Sequence, residues 1–251
     1  MKIGAQFYTL HNECQTLEGF EDALKKVADI GYKYVQISGT CEYEAQWLSD
    51  KLKENGLECV LTHIAGDKLA NLENIPKIAA DHTVFSCDRI GLGWFNFDEA
   101  DENHKYDEFL KLYKPVAKEI KANGKYMMFH NHAKEFQKLD GKVILEKMAE
   151  DFSPDELGFT LDTYWVQVGG GDPAQWIERL SGRLPCIHLK DCAYDKVMSV
   201  VGEGNINFDR VFEKAEGAGV KYMLVEQDDC NGENPFDCLK RSYDYLKSMG
   251  F

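Results

Sequence analysis

The sequence predicts a (β/α)8 TIM barrel of the α/β class, and three observations carry that prediction. Apolar strand-like runs alternate with amphipathic helical stretches eight times within 251 residues. Strands joined by helices must run parallel through right-handed crossovers, and eight such units close on themselves. An open doubly wound sheet would want a glycine-rich loop after its first strand, where this chain has Tyr8-Thr-Leu-His-Asn12. With 44% hydrophobic residues the chain can bury one large core, so residues 1–251 are expected to form a single domain.

Strand one is read at Ile3 to Tyr8 and helix one at about Leu17 to Ile30, where Phe20, Leu24 and Val27 keep the helical period and Gly31 closes it. Strand two is Tyr34 to Ile37, helix two about Glu42 to Asn55, and strand three Leu57 to Ile64. Pro76 interrupts the next helical pattern, Leu69 to Ala80, so that helix is expected to start near Asn74 or to be split. Strand four (Asp88 to Leu92) precedes a long helix, about Asn103 to Ala122, with Phe109, Tyr113, Val116 and Ile120 on its apolar stripe. Strand five is Lys125 to His130, helix five about Lys142 to Asp151, and strand six Leu157 to Leu161. Asp172-Pro173 opens helix six and Asn234-Pro235 helix eight, each a polar N-cap followed by proline at the first helical position. Between them lie strand seven (Cys186 to Leu189), helix seven (about Phe208 to Ala218) and strand eight (Tyr222 to Glu226).

Composition narrows the function classes. Lys and Arg are outnumbered 29 to 43 and the formal net charge is −14, so a nucleic-acid partner is not expected. No apolar run reaches the ~18 residues a membrane span needs, and Met1 begins directly in a strand with no signal-peptide pattern. A cytoplasmic location follows as an expectation. The 8 cysteines form no CxxC pair and are read as free thiols, with Cys59 and Cys186 as small core residues.

In such a barrel the chemistry sits at the C-terminal ends of the strands. Strands six, seven and eight deliver Asp162, His188 and Glu226 there. Strand five ends in His130-Asn131-His132, strand three in His63, strand two in Gln36, and strand one in Gln6 and Tyr8. Asp, His and Glu are ligand types for Mn²⁺, Co²⁺, Mg²⁺ or Zn²⁺, so Asp162, His188, Glu226 and His130 are the candidate ligands of one divalent ion. Each also has a plainer reading: Asp162 as a loop cap, His188 as a satisfied core histidine. Glu226 is harder to explain as structure, because an unpaired buried carboxylate is costly. Glu226, His130 and His132 are the candidate catalytic groups, and His63, Lys190, Tyr8, Trp94 and Glu203 the candidate substrate contacts. Val201-Gly-Glu-Gly-Asn205 is read as a turn that orients Glu203 near the rim, since a lone GxG is weak evidence for a phosphate cradle.

Gly4-Ala-Gln-Phe-Tyr-Thr-Leu10, Phe129-His-Asn-His132 with Glu135-Phe136, Leu161-Asp-Thr163, Ile187-His-Leu-Lys-Asp191, Gly202-Glu-Gly204 and Val225-Glu226 span the chain. In this order they resemble the sugar phosphate isomerase/epimerase superfamily, the xylose isomerase-like TIM barrels. The resemblance implies one divalent ion held by a Glu, an Asp, a His and a second Glu. Asp162, His188 and Glu226 match three of these, while the strand-five Glu falls at His130 and a Glu common at the end of strand two falls at Gln36. In the epimerases both metal-bound Glu residues shuttle protons, so His130, His132 or Glu135 would stand in for one of them here.

The expected function is a metal-dependent isomerase or epimerase acting on a sugar or polyol-derived ketose through an enediolate, possible as a homo-oligomer. A dehydratase or keto-glycoside lyase is the first alternative, because elimination also begins with proton abstraction beside a carbonyl. A non-catalytic sugar-binding barrel is another. An abasic-site endonuclease on the same barrel would need three clustered ions and a basic groove, for which the ligands are too few and the charge is of the wrong sign. No arginine cluster marks a phosphate site at the rim, which favours an unphosphorylated substrate.

Overall fold

The computed structural model describes residues 1–97 and 102–251, with the side chains of all of these except 102–104. Eight parallel strands close into a barrel: β1 (Lys2–Gln6), β2 (Tyr34–Ile37), β3 (Glu58–Ile64), β4 (Arg89–Leu92), β5 (Tyr126–His130), β6 (Leu157–Asp162), β7 (Cys186–Leu189) and β8 (Tyr222–Val225). They neighbour one another in chain order, and β8 pairs with β1. The main outer helices are α1 (Leu17–Ile30), α2 (Ala45–Asn55), α3 (Ile75–Val84), α4 (Glu102–Ala122), α5 (Ile144–Asp151), α6 (Pro173–Arg179), α7 (Phe208–Gly217) and α8 (Pro235–Ser248). Among the described residues no helix is long and apolar enough to cross a membrane.

Side chains two apart on a strand share a face, and this period sorts the barrel into two cores. Ala5, Val35, Ile37, Phe129, Phe159, Leu189 and Val225 belong to the large core between sheet and helices. Leu61, Met128, Cys186 and Leu224 form a separate cluster with Tyr34, Tyr126 and Tyr222 packed against it, which plugs the barrel's lower interior. Moving two residues toward the C-terminal end of those strands reaches His63, His130, His188 and Glu226. The apolar plug is therefore the floor of a polar layer. Glycines make room for the floor: a Cβ on Gly4 would lie 2.6 Å from Leu224 Cδ2, and one on Gly158 2.6 Å from Tyr126 Cε1.

Several boundaries differ from the sequence reading, each for a local reason. β1 stops at Gln6 because Phe7–Leu10 turns into a 3-10 helix, with the Gln6 side chain accepting from the Tyr8 N–H. The Pro76 region is split: Gly66–Ala70 is a short helix, Leu72–Asn74 a 3-10 turn, and α3 starts at Ile75 with Pro76 in its first turn, where no amide partner is needed. Lys142–Val143 pairs with Lys138–Leu139 as a small hairpin, so α5 begins at Ile144. A short helix, Thr163–Val168, directly follows β6 and was not expected. All eight cysteines are free, and Cys59 and Cys186 are buried as expected.

Candidate functional site

Strand register assembles the site. Asp162 lies opposite His188 across β6–β7, and Leu224, two residues before Glu226, lies opposite the same histidine across β7–β8. His130 ends β5 beside Thr160, two residues before Asp162. His130, Asp162, His188 and Glu226 each offer one ligand atom, and these atoms all lie within 4.8 Å of one another. All four residues are buried.

The two imidazoles are each held with one ring nitrogen facing inward. His130 Nδ1 is 3.0 Å from the Gly93 carbonyl, which can only accept, so Nδ1 carries the proton and Nε2 faces Asp162 Oδ2 at 3.4 Å. His188 Nε2 donates to Gln36 Oε1 at 2.8 Å, which turns Nδ1 toward Glu226 Oε2 at 2.8 Å and Asp162 Oδ2 at 3.8 Å. Despite that distance His188 Nδ1 makes no well-angled hydrogen bond. Ligating histidines usually donate their outer N–H to a protein carbonyl, and both do so here. Two ring nitrogens and two carboxylates facing one another across so short a gap form a donor set that could hold a cation.

Charge balance points the same way. Lys190 Nζ lies 2.7 Å from Asp228 Oδ2, 3.3 Å from Glu226 Oε2 and 3.6 Å from Asp162 Oδ2. With His188 neutral, as a ligand would be, three carboxylates against one ammonium leave two negative charges, the complement of a divalent ion. Burial works against ionisation of Asp162, but Lys190 and the two imidazoles overcome it and hold the acid at about 2. Burial likewise opposes the charge on Glu226, yet Lys190 and His188 keep it well below the usual carboxylate range. For His188, burial disfavours the imidazolium, but Glu226 and Asp162 outweigh it and lift the pKa to about 9. Without a metal the gap is thus closed by a proton on Nδ1. The donor set fits a divalent ion that displaces that proton.

Asp162 is placed for both roles that the sequence reading set against each other. Its Oδ1 caps the helix Thr163–Val168 by accepting from the Trp165 N–H at 2.9 Å, while Oδ2 faces the cluster. Gln6 Nε2 donates to Glu226 Oε1 at 2.5 Å and orients that carboxylate.

The remaining expected residues separate into those that reach the cleft and two, Lys190 and Glu203, that do not. A cleft of about 1080 Å³ opens above the cluster and is lined by Tyr8, His63, Trp94, His130, His132 and Glu226 among others. His63 lies flat against β4. A Cβ on Gly91 would come 2.7 Å from His63 Cδ2, and one on Gly93 2.6 Å from His63 Nδ1, so both glycines make the slot for its ring. His63 Nε2 and His132 Nδ1 are buried without a partner. Burial and the neighbouring His130 keep both imidazoles neutral, His63 well below its usual value and His132 at about 3. Glu135 lies beneath, fully buried, and accepts from the His132 backbone N–H at 2.8 Å. Lys190 is buried among carboxylates rather than standing in the cleft wall.

Glu203 is the correction. Its carboxylate turns outward to Arg241 Nε at 2.8 Å and does not line the cleft. Asp191 explains this. Its buried carboxylate accepts from the N–H groups of Cys192, Gly202, Gly204 and Ile206 at 2.8, 2.9, 2.9 and 3.2 Å. A Cβ on Gly204 would lie 2.4 Å from Asp191 Oδ1, so the second glycine is needed for this approach. The amides of Gly202, Gly204 and Ile206 are already spent on Asp191, and the side chain between the two glycines points away. Asp228 and Gln36 were not assigned roles from sequence, although Asp228 falls at period two after Glu226.

A sequence profile of the xylose isomerase-like TIM barrel family matches residues 24–249. The inosose dehydratase of Mesomycoplasma hyopneumoniae (strain 7448) is 24% identical over 267 residues, covering 92% of this chain and 88% of its own. A sugar phosphate isomerase/epimerase from Parabacteroides distasonis ATCC 8503 superposes with a TM-score of 0.84 at 22% identity, over 99% of this chain and 94% of that one. A probable 3-DHS dehydratase from Bacillus anthracis superposes with a TM-score of 0.74 at 16% identity, over 98% and 99%. At these identities the superpositions speak for the fold alone. The match of the family profile to nearly the whole chain carries the assignment: the protein belongs to the xylose isomerase-like TIM barrel family.

Proposed function

We propose that this enzyme abstracts a proton beside a carbonyl of a sugar or polyol-derived ketose, with His130, Asp162, His188 and Glu226 holding one divalent ion of the Mn, Co, Mg or Zn type. The observation that carries this is the pair of inward-facing imidazole nitrogens set against two buried carboxylates beneath the cleft. A divalent ion bound there supplies Lewis-acid stabilisation of an enediolate. Glu226, kept ionised by Lys190 and His188 against its burial and oriented by Gln6, takes the proton from carbon. His130 has its outer nitrogen tied to Gly93 and its inner one turned to Asp162, which leaves His132 as the better candidate for the second proton transfer. The unpartnered Nδ1 of His132 supports that role. His63 offers a neutral imidazole to a substrate hydroxyl.

Return of the proton to carbon gives isomerisation or epimerisation. Loss of a neighbouring oxygen gives dehydration or elimination, a reading favoured by the dehydratase relatives and by the histidine where a second carboxylate would serve a symmetric exchange. Glu226→Gln should abolish turnover across a panel of ketoses and inososes in protein that still shows the wild-type circular dichroism spectrum. Full activity in that variant would overturn the assignment, and so would protein purified without chelator that binds none of the four metals.

A further inference from the structure

The cleft extends well beyond its chemical end. Its described lining comes from the ends of β1 to β5 and β8 and the segments that follow β1 to β4, with Leu17 at the start of α1 and a recess that reaches Ile78, Asp81, His82 and Phe85 at α3; no residue of the segments after β6 or β7 borders it. The four-residue cluster thus sits at one end, with open space toward the loop after β2, residues 38–45, and toward Trp94. At about 1080 Å³, the recess beside those α3 residues included, the cleft has room for more than a single sugar ring.

The walls of this extension have a definite chemistry. Tyr8, Leu17 and Trp94 are large apolar side chains left 40%, 45% and 58% exposed, and all three border the cleft. Tyr8 is braced by stacking on His11, with ring centroids 4.8 Å apart. Rigid aromatic faces with polar edges suit flat rings that carry both C–H faces and hydroxyls. No arginine lines the cleft among the described residues, and its one lysine, Lys68, is engaged by Glu42 at 2.6 Å. A charged tail such as a phosphate has no counter-charge there.

We infer that the substrate is a glycoside: a chelating, carbonyl-bearing sugar at the cluster, linked to a second, uncharged ring that lies along Tyr8 and Trp94. The inference rests on the reading of the cluster as the chemical end, and it adds the substrate's size and neutrality. The rim residues then select ring-bearing substrates over free monosaccharides, without taking part in the chemistry.

The test uses unreactive probes and equilibrium binding to the metal-loaded protein. Methyl, phenyl and glucosyl derivatives (cellobiose the last) of β-glucose are compared, with the same series on a galactose and an inositol head. The phenyl and glucosyl members of at least one series should bind at least tenfold more tightly than the methyl member. Trp94→Ala and Tyr8→Ala should each cut that ring gain severalfold, read as the ratio of ring-member to methyl-member affinity within each variant. Equal affinity across every series, absence of measurable binding by any ring-bearing probe, or a gain that survives both substitutions overturns the inference. Metal content is assayed on the same samples. A ring gain in protein that takes up no metal would sink the proposed chemistry and spare the cleft assignment; metal uptake with no ring gain would do the reverse.

Discussion

Loading the cluster with Mn²⁺ or Co²⁺ should cost the protein one proton, and the cost can be sized. In the metal-free protein His188 stays protonated up to about 9, because Glu226 and Asp162 outweigh the burial that works against the charge. An ion at the cluster needs the Nδ1 lone pair, so it binds only the deprotonated form. At pH 7 that form is about two units from its midpoint. Each unit is worth ~1.36 kcal/mol, so the apparent affinity at pH 7 should be about 100-fold, or roughly 3 kcal/mol, below its high-pH limit. Between pH 6.5 and 8.5 the apparent dissociation constant should therefore fall about tenfold per pH unit. Titration calorimetry in buffers of differing ionisation heat should count close to one proton released per ion bound. Gln36→Leu removes the acceptor that fixes the ring and should weaken uptake at every pH. A dissociation constant that stays flat across this window, or uptake without proton release, would refute the claim that His188 is a ligand.

Three further expectations follow from single side chains. Asp162→Asn keeps the cap on the helix Thr163–Val168 but loses the cluster charge, so it should abolish metal uptake with little loss of the cap's stability; Asp162→Ala should forfeit the cap as well, a further ~1 kcal/mol by denaturant titration of the apo proteins. Burial raises Glu135 from 4.5 to about 7, so the folded chain holds its proton where the unfolded chain has lost it; stability should fall by about 3 kcal/mol as pH rises from 4.5 to 7, and Glu135→Gln should flatten that slope in pH-dependent melts. Asp191→Ala strands four amides of the 192–206 loop; at about 1.5–3 kcal/mol for a hydrogen bond to a charged group it should cost roughly 3 kcal/mol or more, read by chemical denaturation, while Glu203→Ala should be close to neutral.

Much of the barrel is legible because its signals are local and repeat. Period two in the strands, period 3.6 in the helices and polar-proline caps at Asp172 and Asn234 each act within a few residues, and eight repetitions leave one closure. The positions of Asp162, His188 and Glu226 are legible for the same reason: a strand end in a barrel has one direction to face. What the sequence hides is set by contacts distant along the chain. Gln36 touches His188 across 152 positions and Gln6 touches Glu226 across 220, and no local pattern marks a glutamine as the partner that fixes a ring or a carboxylate. Gly91 and Gly93 read as featureless residues until the imidazole of His63 is seen lying on them. Glu203 misleads in the opposite way: it sits in a motif-like Gly202-Glu-Gly204, but the glycines serve Asp191 and the glutamate between them is turned out to Arg241.

Asp162 shows why weighing a structural reading against a functional one can mislead. A carboxylate has two oxygens, and at a strand end followed at once by a helix they meet different demands. Oδ1 satisfies the Trp165 amide and so fixes the side chain; Oδ2 is thereby aimed at His130 and His188 without freedom to swing away. The cap is what preorganises Oδ2 for the proposed ligand role. The two readings reinforce each other, and the short helix Thr163–Val168, invisible to periodicity at six residues, is the element that couples them.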